Sequence, residues 1–316
     1  VKVLGLTTTA WRSFYEQQEA AVETAGVDYE TLEVPGDHRG FDDGVRKRSA
    51  LDYVRYYPQV LRHCLDGYDL IHANYGLTTP FAVCQPSLPV VASLWGGEFI
   101  GNRFAPVTRV SVKRADAVLV PSEPMVDRLP PSVRDRARVV PFPVDTDRFQ
   151  PVPRDEARER VGWDTDDQVV LFPYAEARYE KNYPLAERVV DGLDDDDVEL
   201  RSVANEPYER MPDYLNASDA LLVTSRWESG PMTVKEALAC GVPVVSRPVG
   251  FAPNVLDDVR HCRLGRTERE LRQGLRDALA ADGRLAGDGR ERVTSYGRAE
   301  MGERVRAVYE RCLAGG

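Results

Sequence analysis

Short apolar runs separated by helical stretches recur along this 316-residue chain, and that alternation limits how it can fold more than any other feature. In the first half, runs rich in Val, Leu, Ile and Ala predict strands at residues 1–6, 29–34, 70–73, 90–94, 117–120 and 139–140. A second series predicts strands at 169–172, 198–203, 220–224 and 242–246, with a weak one near Cys262. Helical stretches such as 14–25 and 51–65 fall between them. Strands that alternate with helices lie parallel, because each helix carries the chain back to where the next strand starts. Two such series predict an α/β chain of two Rossmann-like parallel-sheet domains. The seam is expected within Pro141-Phe-Pro-Val-Asp-Thr-Asp-Arg-Phe-Gln-Pro151, where prolines and aspartates break both periodicities. The first domain is therefore expected at residues 1–146 and the second at 147–316.

Composition narrows the function. A hydrophobic content of 42% supports full cores. No run of eighteen apolar residues is present, so no transmembrane helix is expected. The first residues read as a strand rather than a signal peptide, and the missing initiator Met suggests processing or trimming. The net charge is −10, and lysine occurs only at Lys2, Lys47, Lys113, Lys181 and Lys235. An acidic chain argues against nucleic acid as a partner, which needs a basic face. The same balance fits a high-salt cytoplasm, as in a halophilic archaeon, or an ordinary acidic bacterial enzyme. Cys64, Cys84, Cys240, Cys262 and Cys312 are odd in number and lack a CxxC spacing, as expected of reduced thiols in a cytoplasmic protein. Four histidines form no ligand cluster, and Asp194–Asp197 read as a solvated loop, so no metal site is assigned. No strand is followed by GxGxxG, which weighs against a nicotinamide-dependent enzyme.

One stretch carries the most chemistry: Ser225-Arg-Trp-Glu-Ser-Gly-Pro-Met-Thr-Val-Lys-Glu236-Ala-Leu-Ala-Cys-Gly-Val-Pro-Val-Val245. Glu228 is expected at the carboxyl end of the strand that holds Ala220–Val223, and Glu236 in the first turn of the next helix, capped by Thr233. Open α/β sheets bind ligands in that crevice, and free amides at a helix start favour a phosphate. The simpler reading of Thr233-x-x-Glu236 is a capping box that needs no ligand. That reading leaves Glu228 and the Ser-Gly-Pro turn unexplained.

The stretch resembles the E-x7-E signature of retaining glycosyltransferases of family 4, glycosyl transferase group 1, which have the GT-B fold. Val144-Asp145-Thr-Asp-Arg-Phe149 is similar to the Val-Asp-x-x-x-Phe that ends the first domain in that family. The resemblance implies two Rossmann-like domains facing across a cleft, with the final helix, about residues 298–313, crossing back to the first. It implies transfer of a sugar from a nucleotide diphosphate sugar to an acceptor hydroxyl with retention of configuration. No cofactor is required beyond that donor substrate. Within Leu171-Phe-Pro-Tyr-Ala-Glu-Ala-Arg178-Tyr-Glu-Lys181-Asn182, Lys181 and Arg178 are implied to hold the pyrophosphate, because fixed cations stabilise its developing charge. The pair is three residues apart here, against five in many relatives. Glu236 is implied to bind ribose and Glu228 the donor sugar. The backbone through Ser229, Gly230, Pro231, Met232 and Thr233 is implied to support sugar and phosphate.

Further candidates lie in the first half. Trp95-Gly96-Gly97-Glu98 resembles the family's His-Gly-Ser-Asp loop, with Trp in place of His and Glu in place of Asp. Trp95 is expected either to stack on a sugar or to sit in the core, and Glu98 to cap the next turn or face the cleft. His72 is read either as a hydrogen-bonded sheet residue or as a residue of the cleft mouth. Thr9, in the loop after the first strand, is a candidate near donor phosphates and acceptor. Arg46, Lys47, Arg48, Arg55 and Arg62, interleaved with Tyr53, Tyr56 and Tyr57, read as a solvated helix face or as a peripheral contact with anionic lipid at the inner membrane face. The acceptor is expected to be a sugar, a lipid-linked species or a glycan, in surface glycan or glycolipid synthesis. The alternatives are a non-catalytic GT-B partner subunit, or another GT-B enzyme such as a phosphorylase or sugar epimerase.

Overall fold

The computed structural model describes residues 1–8, 13–36, 48–98, 104–164, 166–193, 195, 197–280 and 288–315. The chain divides into two compact units, Val1–Pro143 with Arg298–Gly316, and Val144–Gly297. Each is built on an all-parallel sheet. In the first, the strands are β1 (Lys2–Thr7), β2 (Asp28–Glu33), β3 (Leu70–Asn74), β4 (Val90–Ser93), β5 (Ala117–Val120) and β6 (Ala137–Val139), in the order β2-β1-β3-β4-β5-β6. In the second they are β7 (Gln168–Phe172), β8 (Val198–Ser202), β9 (Ala220–Val223), β10 (Val244–Ser246) and β11 (Arg263–Leu264), in the order β11-β10-β9-β7-β8. The central strands β3, β4, β5, β9 and β10 are buried at every position, whereas the edge strands β8 and β11 are not. Helices cover both faces of a parallel sheet, so a central strand has no wet side and reads as a continuous apolar run.

Every strand expected from the sequence is present, with ends that differ by at most two residues and with β5 matching at both. β10 begins at Val244 rather than Val242, because Pro243 has no amide to give the ladder and the Val242 amide instead bonds the Ala237 carbonyl at 2.8 Å. Among the described residues, no helix is long and apolar enough to cross a membrane.

Two helix layers flank the first sheet. Helices Ala50–His63, Thr79–Val83 and Ala105–Ser111 lie along one side, where Tyr56, Val60, Ala82 and Val112 share a core with Leu4, Ile71 and Val118. The expected basic stripe is only partly on the surface. Arg48 is buried along its side chain, faces Glu33, and donates to the Val34 carbonyl at 2.8 Å. Tyr56 is fully buried, with its hydroxyl on the Leu32 carbonyl. Tyr53 and Tyr57 pack on Phe81. Arg46 and Lys47 lie outside the described residues.

On the other side, helices Ser13–Thr24 and Arg298–Ala314 pack together. Met301, Val305, Val308 and Tyr309 enter the core formed with Tyr15, Ala21, Val22 and Leu70. A polar chain fastens the last helix to the sheet. His72 Nδ1 lies 2.6 Å from the Tyr309 hydroxyl, and His72 Nε2 lies 2.7 Å from Ser93 Oγ. Asn74 donates to the Tyr29 hydroxyl at 2.8 Å and accepts from Gln18 at 2.5 Å. His72 has no exposed surface, and burial pushes its pKa down to about 3, so the ring is neutral. This corrects the reading of His72 as a residue of a site mouth: it is an internal fastener.

Gly302 marks the closest approach of the two helices, since a methyl there would run into the Ala21 carbonyl oxygen. Gly302→Ala should therefore destabilise the protein by about 1–3 kcal/mol, the usual cost of overpacking. The check is the urea midpoint, which should fall with the slope of the transition unchanged.

Candidate active site

Strand order selects one place in the second unit. From β7 the chain moves to β8 on one side and then returns to β9 on the other. The loops leaving β7 and β9 are thereby splayed apart at their carboxyl ends, which is where open α/β sheets leave a crevice. Lys181 lies at the end of the first loop and Glu228 in the second. Lys181 Nζ donates to Glu228 Oε1 at 2.5 Å, and Ser225 Oγ donates to the same oxygen at 2.7 Å. The ammonium also sits 3.7 Å from the centroid of the Tyr174 ring, a cation–π contact. Burial pulls the Lys181 pKa down, and Glu228 opposes that shift.

The backbone behind the pair is fixed. Asn182 is left-handed, at φ +61°, a conformation that Asn tolerates better than most residues. Its side-chain Nδ2 donates to the Thr224 carbonyl at 3.3 Å, and Thr224 Oγ1 donates towards the Lys181 and Asn182 carbonyls at 3.0 and 3.1 Å. Thr224 directly follows β9, so the two loops are tied to each other at their roots.

Glu228 leads into the turn Ser229-Gly230-Pro231 and then helix Met232–Ala239. The expected cap is not formed. Pro231 precedes the helix, Thr233 is its second residue, and no acidic residue falls in its first turn. A proline with its φ already helical starts the helix early, which moves Glu236 into the second turn. The Thr233 hydroxyl instead meets the Tyr174 hydroxyl at 2.8 Å. Gly250, at φ +54°, packs under the turn, where a methyl would lie 2.7 Å from Pro231 Cδ and 3.1 Å from the Gly230 nitrogen.

Glu236 is 2% exposed. Its Oε1 accepts a 2.6 Å hydrogen bond from the Tyr208 hydroxyl. Burial pushes its pKa up to about 7, against the opposing pull of Tyr208, Lys235 and Arg148. Tyr208 is itself held: the Phe149 ring meets its edge at 5.7 Å and the Arg148 guanidinium lies 5.3 Å over its face. Asp145 Oδ1 accepts from the amides of Asp147 and Arg148 at 3.1 Å, and Arg290 donates to the carbonyls of Thr146, Phe149 and Ala239. The segment expected as a linker is thus the scaffold on which Tyr208 and Glu236 rest.

The structure therefore brings Lys181, Glu228 and Thr233 together around Tyr174 and Ser225, with Ser229, Gly230 and Pro231 in the connecting turn, Met232 opening the helix, and Glu236 held separately by Tyr208 but near enough to act electrostatically on Tyr174. Arg178 is not drawn in. It is half exposed, and its Nε and Nη2 both lie 2.7 Å from Glu180 Oε1. Its charge is nevertheless near enough to help lower the Lys181 pKa. In the first unit, Trp95 is half-buried against Tyr15 and Tyr75 at 6.4 and 5.8 Å. Gly96 takes φ +106°, which a side chain would resist. Gly97 follows it on the path to Glu98. Glu98 points inward rather than along the chain: it is 1% exposed, and Oε1 accepts from the Trp95 amide at 2.8 Å and the Gly76 amide at 3.2 Å. It clamps the loops after β3 and β4, and burial raises its pKa against those amide bonds. Thr9, and Asp194 and Asp196 of the acidic run, lie outside the described residues.

Sequence reasoning missed Tyr174, Thr224, Ser225, Tyr208, Arg148 and Gly250. Tyr208 was present in the loop Ala204-Asn-Glu-Pro-Tyr208, but nothing in sequence spacing links it to Glu236, twenty-eight residues away.

The chain matches the family described as “Glycosyl transferases group 1” over residues 198–298 and that described as “Glycosyl transferase 4-like domain” over residues 1–145. A D-inositol 3-phosphate glycosyltransferase of Xylanimonas cellulosilytica is 33% identical, over 48% of this chain and 45% of that protein. The chain thus spans under half the length of that relative. A D-inositol 3-phosphate glycosyltransferase 1 of Catenulispora acidiphila is 23% identical over 79% of this chain and 73% of that one. Among solved structures, sucrose-phosphate synthase from Thermosynechococcus elongatus superposes with a TM-score of 0.73 at 18% identity, covering 100% of both chains. HepE of Anabaena, solved in complex with UDP and glucose, gives a TM-score of 0.73 at 13% identity over 98% of this chain and 99% of that one. At such identities these structures speak for the fold alone.

The raised pKa of Glu236 has a measurable sign. Glu236 keeps its proton in the folded state up to about pH 7, whereas the unfolded chain releases it near 4.5. Its contribution to stability is complete below the lower value and is lost as pH rises through the upper one. At about 1.4 kcal/mol per unit, the loss is on the order of 3 kcal/mol. Urea titrations across that window should show wild type losing stability relative to Glu236→Gln as pH rises; parallel curves would contradict the assignment.

Proposed function

The chain belongs to the group 1 glycosyl transferases of GT-B fold, and from that premise we propose that it moves a sugar from a nucleotide diphosphate sugar to an acceptor hydroxyl with retention of configuration. The observation that carries this reading is the Lys181–Glu228 pair at the splayed ends of β7 and β9, beside buried Glu236. In the absence of a donor the cation and the carboxylate satisfy each other. A pyrophosphate would give Lys181 a second anionic partner, and a sugar would give Glu228 hydroxyl donors to replace Ser225.

Lys181 then stabilises the charge that develops on the leaving phosphate, worth most in a site already shielded from water. Glu236, with one oxygen on Tyr208, has its other oxygen for ribose hydroxyls. The amides of Gly230, Met232 and Thr233 at the helix start would donate to the phosphates; Pro231 between them has none to give. Arg178 would add a second cation by exchanging Glu180 for the pyrophosphate. The leaving phosphate oxygen itself would take the acceptor proton on the face from which it departs. HepE was solved with UDP and glucose, which makes UDP the first nucleotide to test. The curated relatives are named for D-inositol 3-phosphate, which makes a phosphorylated polyol the first acceptor.

Thermal shift with UDP, GDP, ADP and their sugar conjugates tests the donor site, because a ligand that binds only the folded state stabilises it by mass action. One nucleotide should raise the melting temperature of the wild type. Lys181→Ala should weaken that nucleotide by about 1.5–3 kcal/mol, the range for a charge-assisted hydrogen bond. Glu228→Gln should retain nucleotide binding but lose transfer. No shift with any nucleotide in the folded wild type would reject donor binding and favour a non-catalytic GT-B subunit.

A further inference from the structure

The loops that carry Lys181 and Glu228 are joined a second time, further out. The Arg226 amide donates to the Glu180 carbonyl at 2.8 Å, and Arg226 Nε donates to the Tyr179 carbonyl at 3.2 Å. The guanidinium lies 4.4 Å from the centroid of the Tyr179 ring, a cation–π contact. One residue earlier, the Ser225 carbonyl accepts from Arg247 Nη1 at 3.1 Å, which ties this stretch to the loop after β10. Both members of the outer pair stand on the surface: Arg226 is exposed and Tyr179 is 75% exposed, whereas Lys181 is 6% exposed. An exposed arginine is ordinarily free to swing. This one is held at its amide, at Nε and across its plane.

Arg226 is also left without an anion. The carboxylates of the two loops have other partners: Glu176 takes the Tyr183 hydroxyl, Glu180 takes Arg178, and Glu228 takes Lys181 with Ser225. Among the described residues, no carboxylate forms an ion pair with Arg226, and its Nη1 and Nη2 donate to no protein atom. A guanidinium stacked on a ring keeps its outward N–H groups in one plane, the fork that fits two oxygens of a phosphate. Fixing that plane in advance removes part of the rotamer entropy that an arginine loses when it binds.

We propose, resting on the donor reading above, that Arg226, fixed by Tyr179, binds a phosphate carried by the acceptor. Exposure separates the two anions. The donor pyrophosphate meets Lys181, which is enclosed, whereas a second substrate reaches the same two loops from outside, where Arg226 stands. A phosphate on Arg226 would hold the acceptor two residues from Glu228, and so beside the donor sugar. Arg226 is then a binding residue and Tyr179 a positioning residue. Their effect falls on which acceptors bind, not on the nucleotide.

Calorimetric titration of D-inositol 3-phosphate and of glucose 6-phosphate, each beside its unphosphorylated counterpart and at saturating nucleotide, tests this. Wild type should bind at least one phosphorylated polyol about tenfold or more tighter than the unphosphorylated one, the size of one charge-assisted hydrogen bond. Arg226→Gln should erase that preference, and Arg226→Lys should keep part of it. Tyr179→Ala should weaken it several-fold, and Tyr179→Phe, which retains the ring, should restore it. The nucleotide thermal shift should be equal in wild type and variants, which also shows that the variants are folded. Three results would overturn the proposal: a phosphate preference unchanged in Arg226→Gln; a nucleotide shift lost in Arg226→Gln, which would give Arg226 to the donor pyrophosphate instead; or no phosphate preference in a wild type that binds nucleotide. Failure of the donor reading shows itself differently, as a wild type with no nucleotide shift, and would overturn this assignment with it.

Discussion

The reversal of strand order beside β7 is the constraint on which the candidate site depends. A parallel strand has to be reached by a crossover, and the crossovers from β7 leave to one side for β8 and return on the other for β9. The loops at the carboxyl ends of β7 and β9 therefore diverge above adjacent strands. Lys181 and Glu228 can meet there because the strands below them are neighbours in the ladder, with Leu171 opposite Leu221. Their ion pair is almost dry, with side chains 7% and 12% exposed. Such a pair contributes little net stability, but loss of either partner would strand a buried charge. The arrangement holds two charged groups in place at the carboxyl ends of β7 and β9.

The rest of the second unit supplies rigidity to that point. Thr224 and Asn182 lock the loop roots, Tyr174 bridges Lys181 to Thr233, and Gly250 leaves room for the Ser229–Pro231 turn. Glu236 is oriented from the far side by Tyr208, which Arg148 and Phe149 hold. Its raised pKa follows from the same enclosure: a carboxyl group cut off from water and held by the Tyr208 hydroxyl keeps its proton more tightly than one in solution. In the first unit the corresponding polar groups do a different job. His72 lies in the middle of β3 and Glu98 in the loop after β4, and both spend their hydrogen bonds inside the protein, on Tyr309 and Ser93 and on two loop amides.

Some of this was legible in the chain and some was not. The apolar runs located the central strands, because a strand covered on both faces has to be apolar throughout, while the exposed edge strand β11 left only a weak signal near Cys262. Glu228 and Glu236 were singled out by a strand–turn–helix pattern, and Lys181 by the family resemblance of the loop after β7. The errors arose where a local rule met a tertiary competitor. Thr233-x-x-Glu236 satisfies the capping-box pattern, yet Pro231 starts the helix and Tyr174 and Tyr208 take the side chains. Tyr56 and Arg48 read as a surface stripe, yet the core and the carbonyls after β2 claim them.

Sequence alone determined the alternation of strand and helix, the division into two parallel-sheet series, and which residues carry charge near a strand end. These are set by near-neighbour geometry, which repeats every two residues in a strand and every three or four in a helix. Only the tertiary structure decided which of those charged residues meet. Lys181 pairs with Glu228 across forty-seven residues and His72 with Tyr309 across two hundred and thirty-seven. Arg178, three positions from Lys181, turns instead to Glu180 on the surface. Partners so distant in the chain are chosen by strand order and by the desolvation of whichever side chains the packing encloses, and neither quantity is written in local spacing.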